Sequence, residues 1–201
     1  MYINKDLFLD FLKEREVTWL GIDFSKATFT KKGFDIPNDV LQLYFNEWNA
    51  LIISDQKKYD IRVAFRKPIV HFDLSFMKKQ NKLHKGDLPI HDVVRMENLL
   101  NTNIIANYIR KATIPDTSKY ALFFMVESFD NTIKKGSVWV VALKSDTKEL
   151  ALCEKFTESP SGFSIKSYWA RIFFNIFFNI SRTAYLRWEH LVQEENVMLK
   201  D

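Results

Sequence analysis

Asp23 and Glu127 are the residues of this chain best suited to acid–base work. Each closes an apolar run, "TWLGID" and "YALFFMVE", that reads as a strand. Were those strands neighbours, the two carboxylates would converge, with Arg171 as a third member of a catalytic or ion-pairing group. Adjacency does not follow from one sequence, and a structural ion-pair lock is the simpler expectation.

Other groupings are weaker. His71, Asp73 and Ser75 contain the residue types of a hydrolase triad, but on a strand His71 and Ser75 stand about 13 Å apart with Asp73 between them. A triad needs the histidine in the middle, within reach of both partners. The four histidines, His71, His84, His91 and His190, have no metal-binding spacing, and Cys153 is the only cysteine. No metal and no cofactor is expected. In "ELALCEKF" the lone thiol reads as a small buried hydrophobe. Neither GxGxxG nor GxxxxGK[ST] occurs, which removes the common nucleotide-binding loops.

The stretch "SPSGFSIK" runs into a helix start, where free amides can hold an anion. Ser161, Gly162, Ser164 and Lys166 would line such a site. The plainer expectation is a helix capped by Ser164.

These residues need elements to position them. An amphipathic helix is predicted from Lys5 to Arg15, with Leu7, Phe8, Phe11 and Leu12 on one face. "VTWLGIDFSKATFT" reads as one strand with a bulge at Gly21. A second helix follows from Pro37 through Ile52, and "QKKYDIRVAFRKP" is ambiguous between helix and strand. "IVHFDLSF" alternates, predicting a half-buried strand with Val70, Phe72, Leu74 and Phe76 inward. "MKKQNKLHKGDLP" reads as a connection, and helical spacing returns from His91 to Lys111 with a break near Asn101. "YALFFMVES", "SVWVVALK" and "ELALCEKF" are three strands, the last two joined by a tight hairpin at "SDTK". A long helix begins near Ser164.

The expected class is therefore α+β. An antiparallel or mixed sheet with a C-terminal β-meander packs against helices, including one long C-terminal helix, in a single domain over residues 1–201. The stretch "YWARIFFNIFFNI" is too interrupted for a bilayer span, which needs about twenty apolar residues. Arg171, Asn175, Asn179, Arg182 and Glu189 instead fall within about 80° of the helix circumference. Such a narrow polar seam predicts a core helix, with Phe173, Phe174, Phe177 and Phe178 buried.

Charge is uneven. Residues 55–85 hold nine Lys/Arg against three Asp, within a chain of net charge +4. Such a patch, over 57–85, suits phosphate, and its Tyr59, Phe65, Phe72 and Phe76 resemble a stacking platform. A solvated rim is the plainer reading, because Phe72 and Phe76 follow the buried alternation, so nucleic acid is disfavoured.

The C-terminal third, with "GF…YWA" as its most specific element, resembles an uncharacterised bacterial α+β family known from structural genomics. The N-terminal "TWLGIDFS" strand shares in the likeness. The resemblance implies the α+β fold and raises an envelope location, but it transfers no catalytic residue. The start of the chain has no secretory pattern, so a cytoplasmic location is the default, with an envelope location if a leader has been removed. The leading functional expectation is a non-enzymatic binding or interaction protein, with an apolar ligand pocket, a protein partner or a homodimer surface. The alternatives are an enzyme built on the carboxylates and Arg171, and a nucleic-acid binder.

Overall fold

A computed structural model of the chain describes residues 1–30, 37–82, 90–91, 99–115 and 117–198. Strands β1 (Tyr2–Ile3), β2 (Glu16–Asp23), β3 (Thr28–Thr30), β4 (Ile69–Phe72), β5 (Ile90–His91), β6 (Tyr120–Asp130), β7 (Lys135–Lys144) and β8 (Leu150–Glu158) form one sheet. Its helices are α1 (Lys5–Lys13), α2 (Asn38–Ser54), α3 (Ile61–Phe65), α4 (Ser75–Asn81), α5 (Thr102–Arg110), α6 (Ile165–Asn179) and α7 (Tyr185–Met198). A single π turn, Ile180–Ala184, joins α6 to α7.

The sheet order is β1-β8-β7-β6-β2-β4. The predicted meander β6-β7-β8 is antiparallel throughout. The other half departs from a purely antiparallel sheet, because β2 runs parallel to both β6 and β4. The chain between β2 and β4 carries α2 and α3, and a crossover of that length returns the next strand in the same direction. The sheet is mixed and the class is α+β.

The single strand expected over 17–30 is in fact interrupted. β2 ends at Asp23, a turn follows, and β3 resumes the line beside β6 with Thr28 opposite Ser128. Gly21 lies at the register shift with φ +109°, a conformation open to glycine. A Cβ there would sit 2.4 Å from Asn49 Oδ1.

Two further expectations are corrected. Only Ile69–Phe72 of "IVHFDLSF" is a strand. Asp73 Oδ1 accepts from the Ser75 amide at 2.9 Å, and this local turn starts α4, whose Phe76 and Met77 are buried. An Asx turn thus outcompetes the alternation. Residue His91 belongs to β5, and the helix after it begins at Thr102 with Asn101 as its cap. Residues 92–98 of the expected 91–111 helix and 83–89 of the expected connection lie outside the described residues.

The sheet has a core on each face. The larger packs α1, α2, α3, α6 and α7 against Val17, Trp19, Leu122, Phe124, Val126 and Val138. Rings fill it: Phe24 stacks on Phe45 at 4.2 Å and Phe129 on Trp169 at 4.5 Å. The smaller core joins α4 and α5 to Leu20, Phe123, Met125, Trp139 and Cys153.

Along α6, Phe173 and Phe177 are buried, each worth about 1.5–3 kcal/mol before chain entropy. Phe174 is partly buried against the same core and Phe178 is 54 % exposed, so one of the four expected core rings stands at the surface. The helix buries a narrower stripe than its composition implies, because it covers one face of the sheet and is not itself covered on the other side. Among the described residues no helix is long and apolar enough to cross a membrane.

Candidate functional site

β2 and β6 are neighbours, and Asp23 lies opposite Met125, two residues before Glu127. In a regular ladder such diagonal neighbours sit about 7–8 Å apart. Glu127 occupies the bulge between Val126 and Ser128 and faces the smaller core. Both carboxylates are fully buried, and each is held by its own donors. Asp23 accepts from the Ser25 amide at 2.6 Å and, very closely, from the Tyr108 hydroxyl. Burial, followed by the charge of Asp23, drives the Tyr108 phenol far above its ordinary range, so it stays a proton donor. Glu127 accepts from the Leu100 amide at 2.8 Å and pairs with Lys155 at 2.8 Å.

Arg171 does not join them. It stands on α6, across the sheet, with its guanidinium 4.4 Å from the centre of the Phe174 ring. A layer of strands separates it from the two carboxylates, so the three-member site is replaced by two locks on one face. Asp23–Tyr108 ties β2 to α5, and Glu127–Lys155 ties β6 to β8.

Residues that the sequence reading passed over complete this region. Asn49 Oδ1 accepts from the Ile22 amide at 2.7 Å, and its Nδ2 donates to the Ile22 carbonyl at 3.0 Å. Asn81 Oδ1 accepts from the Phe24 amide at 2.7 Å and its Nδ2 donates to the same Ile22 carbonyl at 2.9 Å. Two buried amides therefore supply the backbone partners lost where β2 breaks off. The readable signal was an asparagine in an apolar stripe, four residues after Phe45 and after Met77.

The remaining chemical candidates are occupied or inert. His71 on β4 has its Nε2 3.0 Å from Oε2 of Glu16 on β2, while Asp73 is spent on its turn. His84 falls outside the described residues. Among the described residues no His/Cys/Asp/Glu group could hold a metal ion. Cys153 is buried, and burial pushes its thiol up to about 12, which suppresses the thiolate.

The proposed anion cradle at the start of α6 is filled from within. Ser164 Oγ accepts from the Ser167 amide at 3.2 Å, and Ser167 Oγ accepts from the Ser164 amide at 3.1 Å. Lys166 turns to Glu47 at 3.2 Å, and the Ser161 amide donates to the Tyr168 carbonyl at 3.2 Å. A complete capping box leaves little unmet donor capacity for an anion. Ser161, Gly162, Ser164 and Lys166 do not form one cradle.

The basic run 57–85 is likewise dispersed. Lys67 is buried, with its ammonium donating to the carbonyls of Phe11 and, at 2.9 Å, Glu14. Arg66 pairs with Glu189 at 2.7 Å and Arg62 with Asp60 at 3.4 Å. Tyr59, Phe65 and Phe76 are buried, so no continuous stacking platform arises from the described part.

Of the apolar side chains that the fold exposes, the most exposed lies at one end of the sheet. Gly136 on β7 pairs with Glu158 on β8, which sets the 131–134 turn beside the loop leading into α6. Phe163 projects from that loop fully exposed, and Ile133 from the neighbouring turn is 62 % exposed. Gly162, at φ +148°, gives the loop its sharp bend. A hollow of about 430 Å³ on one side of Phe163 is lined by Lys58, Ser161, Gly162, Ser167 and Arg171. Another of about 360 Å³ includes Asn131, Lys134, Ile165 and Tyr168. Among the described residues, three cations and no carboxylate line the two hollows.

The basic and aromatic character continues down α6. Lys58 sits 5.6 Å from the Phe174 ring centre, and Arg182 lies 5.4 Å from that of Phe178. Phe174 and Phe178 stack at 6.3 Å. The outer face of α6 is thus a ladder of rings and cations ending at the Phe163 loop. Comparison with models of known protein families, with curated proteins and with solved structures finds no match to this chain.

Proposed function

We propose that the chain is a non-enzymatic interaction protein whose docking edge is the Phe163 loop, the 131–134 turn and the outer face of α6. The observation that carries this reading is Phe163, wholly exposed beside Lys58, Lys134 and Arg171, with no carboxylate among the described residues that line the adjoining hollows. Removing that ring from water is favourable only against an apolar contact, while the cations select a partner surface of negative charge. A second copy meeting the same edge would bring like charges together, which disfavours self-association there.

The other expectations find less support. The rings suited to an enclosed apolar pocket are packed on one another, as Phe24 on Phe45 and Phe129 on Trp169. An enzyme would need Asp23 and Glu127 to share a substrate, yet their oxygens accept from Tyr108, Ser25, Leu100 and Lys155.

The test is binding to polyglutamate. The native chain is compared with a triple variant, Lys58→Gln, Lys134→Gln, Arg171→Gln, and with a control triple on α4 and its C-cap, Lys78→Gln, Lys79→Gln, Lys82→Gln. Both triples remove the same net charge. The reading expects salt-sensitive binding that the first triple loses and the control keeps. Equal binding by the two triples would refute it.

A further inference from the structure

The docking edge has a shape as well as a charge. Phe163 and Ile133 leave adjacent turns at one end of the sheet, and both project into solvent. Both apolar tips stand out from the surface, and the cations line the two hollows beside Phe163. A folded protein partner would have to supply a complementary hole for each tip. A fluid interface needs none, because its apolar layer opens around whatever enters and its charged layer lies above.

The ring faces argue against single-stranded nucleic acid as the occupant. Stacking uses an open aromatic face. Here the Phe174 ring carries Arg171 and Lys58, and the Phe178 ring carries Arg182. Arg171 and Lys58 therefore hold their charge at the level of the rings, where lipid phosphates and carboxylates would lie. They make no ion pair with a described residue.

We propose that the partner surface is an anionic lipid bilayer, entered shallowly by Phe163 and Ile133 while Lys58, Lys134 and Arg171 contact the headgroups. The proposal rests on the docking edge described above and deepens it by naming the partner. Two apolar tips and three cations give reversible attachment at the interface, distinct from insertion across it.

The experiment is sedimentation with vesicles of phosphatidylcholine and phosphatidylserine, against vesicles of phosphatidylcholine alone. The native chain should sediment with the anionic vesicles, less so as salt rises. Phe163→Ser should weaken that binding about tenfold to a hundredfold. Each Lys or Arg exchanged for Gln should weaken it about fivefold. Because Phe163 makes no buried contact, circular dichroism of Phe163→Ser should match the native chain.

Polyglutamate binding without vesicle binding would overturn the bilayer and leave the docking edge standing. Loss of both would overturn both. Vesicle binding indifferent to Phe163→Ser, or equal on neutral vesicles, would also overturn the proposal.

Discussion

Replacing Asn49 and Asn81 by leucine, singly and together, tests how the interrupted strand is held. Each single variant keeps the number and branching of side-chain heavy atoms and removes the amide. In Asn49→Leu the buried Ile22 N–H loses its acceptor at 2.7 Å, and in Asn81→Leu the Phe24 N–H loses its own at 2.7 Å. An orphaned buried donor costs about 1–3 kcal/mol, so each variant should lose about that much stability. The Ile22 carbonyl accepts from both asparagines, at 3.0 and 2.9 Å, and either alone still satisfies it. Only the double variant leaves it bare, so the double loss should exceed the sum of the singles by about 1 kcal/mol. Urea unfolding reads this directly, as lowered midpoints at an unchanged slope. Singles that lose less than about 0.5 kcal/mol, or a strictly additive double, would refute the reasoning.

Three more outcomes follow from other parts of the fold. Lys67 has its ammonium pulled down to about 8 by burial, below its ordinary 10.5. Above pH 8 the folded chain binds fewer protons than the unfolded chain, so this group makes stability rise with pH up to about its unfolded value. The difference in urea midpoint between the native chain and Lys67→Met should show that slope from pH 8 to 9.5, and a flat difference would contradict it. Glu127→Gln keeps an acceptor for the Leu100 amide but removes the buried carboxylate charge 2.8 Å from the Lys155 ammonium, so stability should fall by about 1–3 kcal/mol in urea unfolding. Gly162→Ala places a Cβ 2.8 Å from Ser167 Oγ and the Tyr168 amide nitrogen at φ +148°. It should cost about 1–3 kcal/mol in thermal unfolding and displace the Phe163 loop, weakening polyglutamate binding.

The fold was legible where local pattern and tertiary packing agree. The α1 stripe places Phe8 and Phe11 in the core, the meander strands lie where their apolar runs begin, and Ser164 caps α6. Gly21 was readable as a bulge because few other residues adopt its backbone geometry. Reading failed where a short polar contact decides the backbone. Asp73 closes a turn that ends β4, and Asn49 with Asn81 hold open a break that looked like continuous strand. Parallel pairing of β2 with β6 joins residues a hundred positions apart, and no local spacing encodes that.

The candidate site was legible only in fragments. Composition pointed to Asp23 and Glu127 as unusual carboxylates, but not to Tyr108 and Lys155 as the groups that hold them. Arg171 looked like their partner because sequence carries no information about which face of the sheet a helix covers. Phe163 was hidden inside a motif that read as a helix cap, and Phe178 inside one that read as core. Their exposure depends on how little of α6 the sheet needs.

The docking edge can be tested beside Phe163, with that ring left in place. Buried Cys153 is shielded from reagents, so Ser161→Cys, exposed in the same loop, carries the one reactive thiol for a fluorescent label. Leu186→Cys, exposed on α7, serves as the control position. With polyglutamate, and again with phosphatidylserine vesicles, neutral acrylamide should quench the label at 161 less than in buffer and the label at 186 as before. Unchanged quenching at 161 with both probes, or equal shielding at the two positions, would contradict the account.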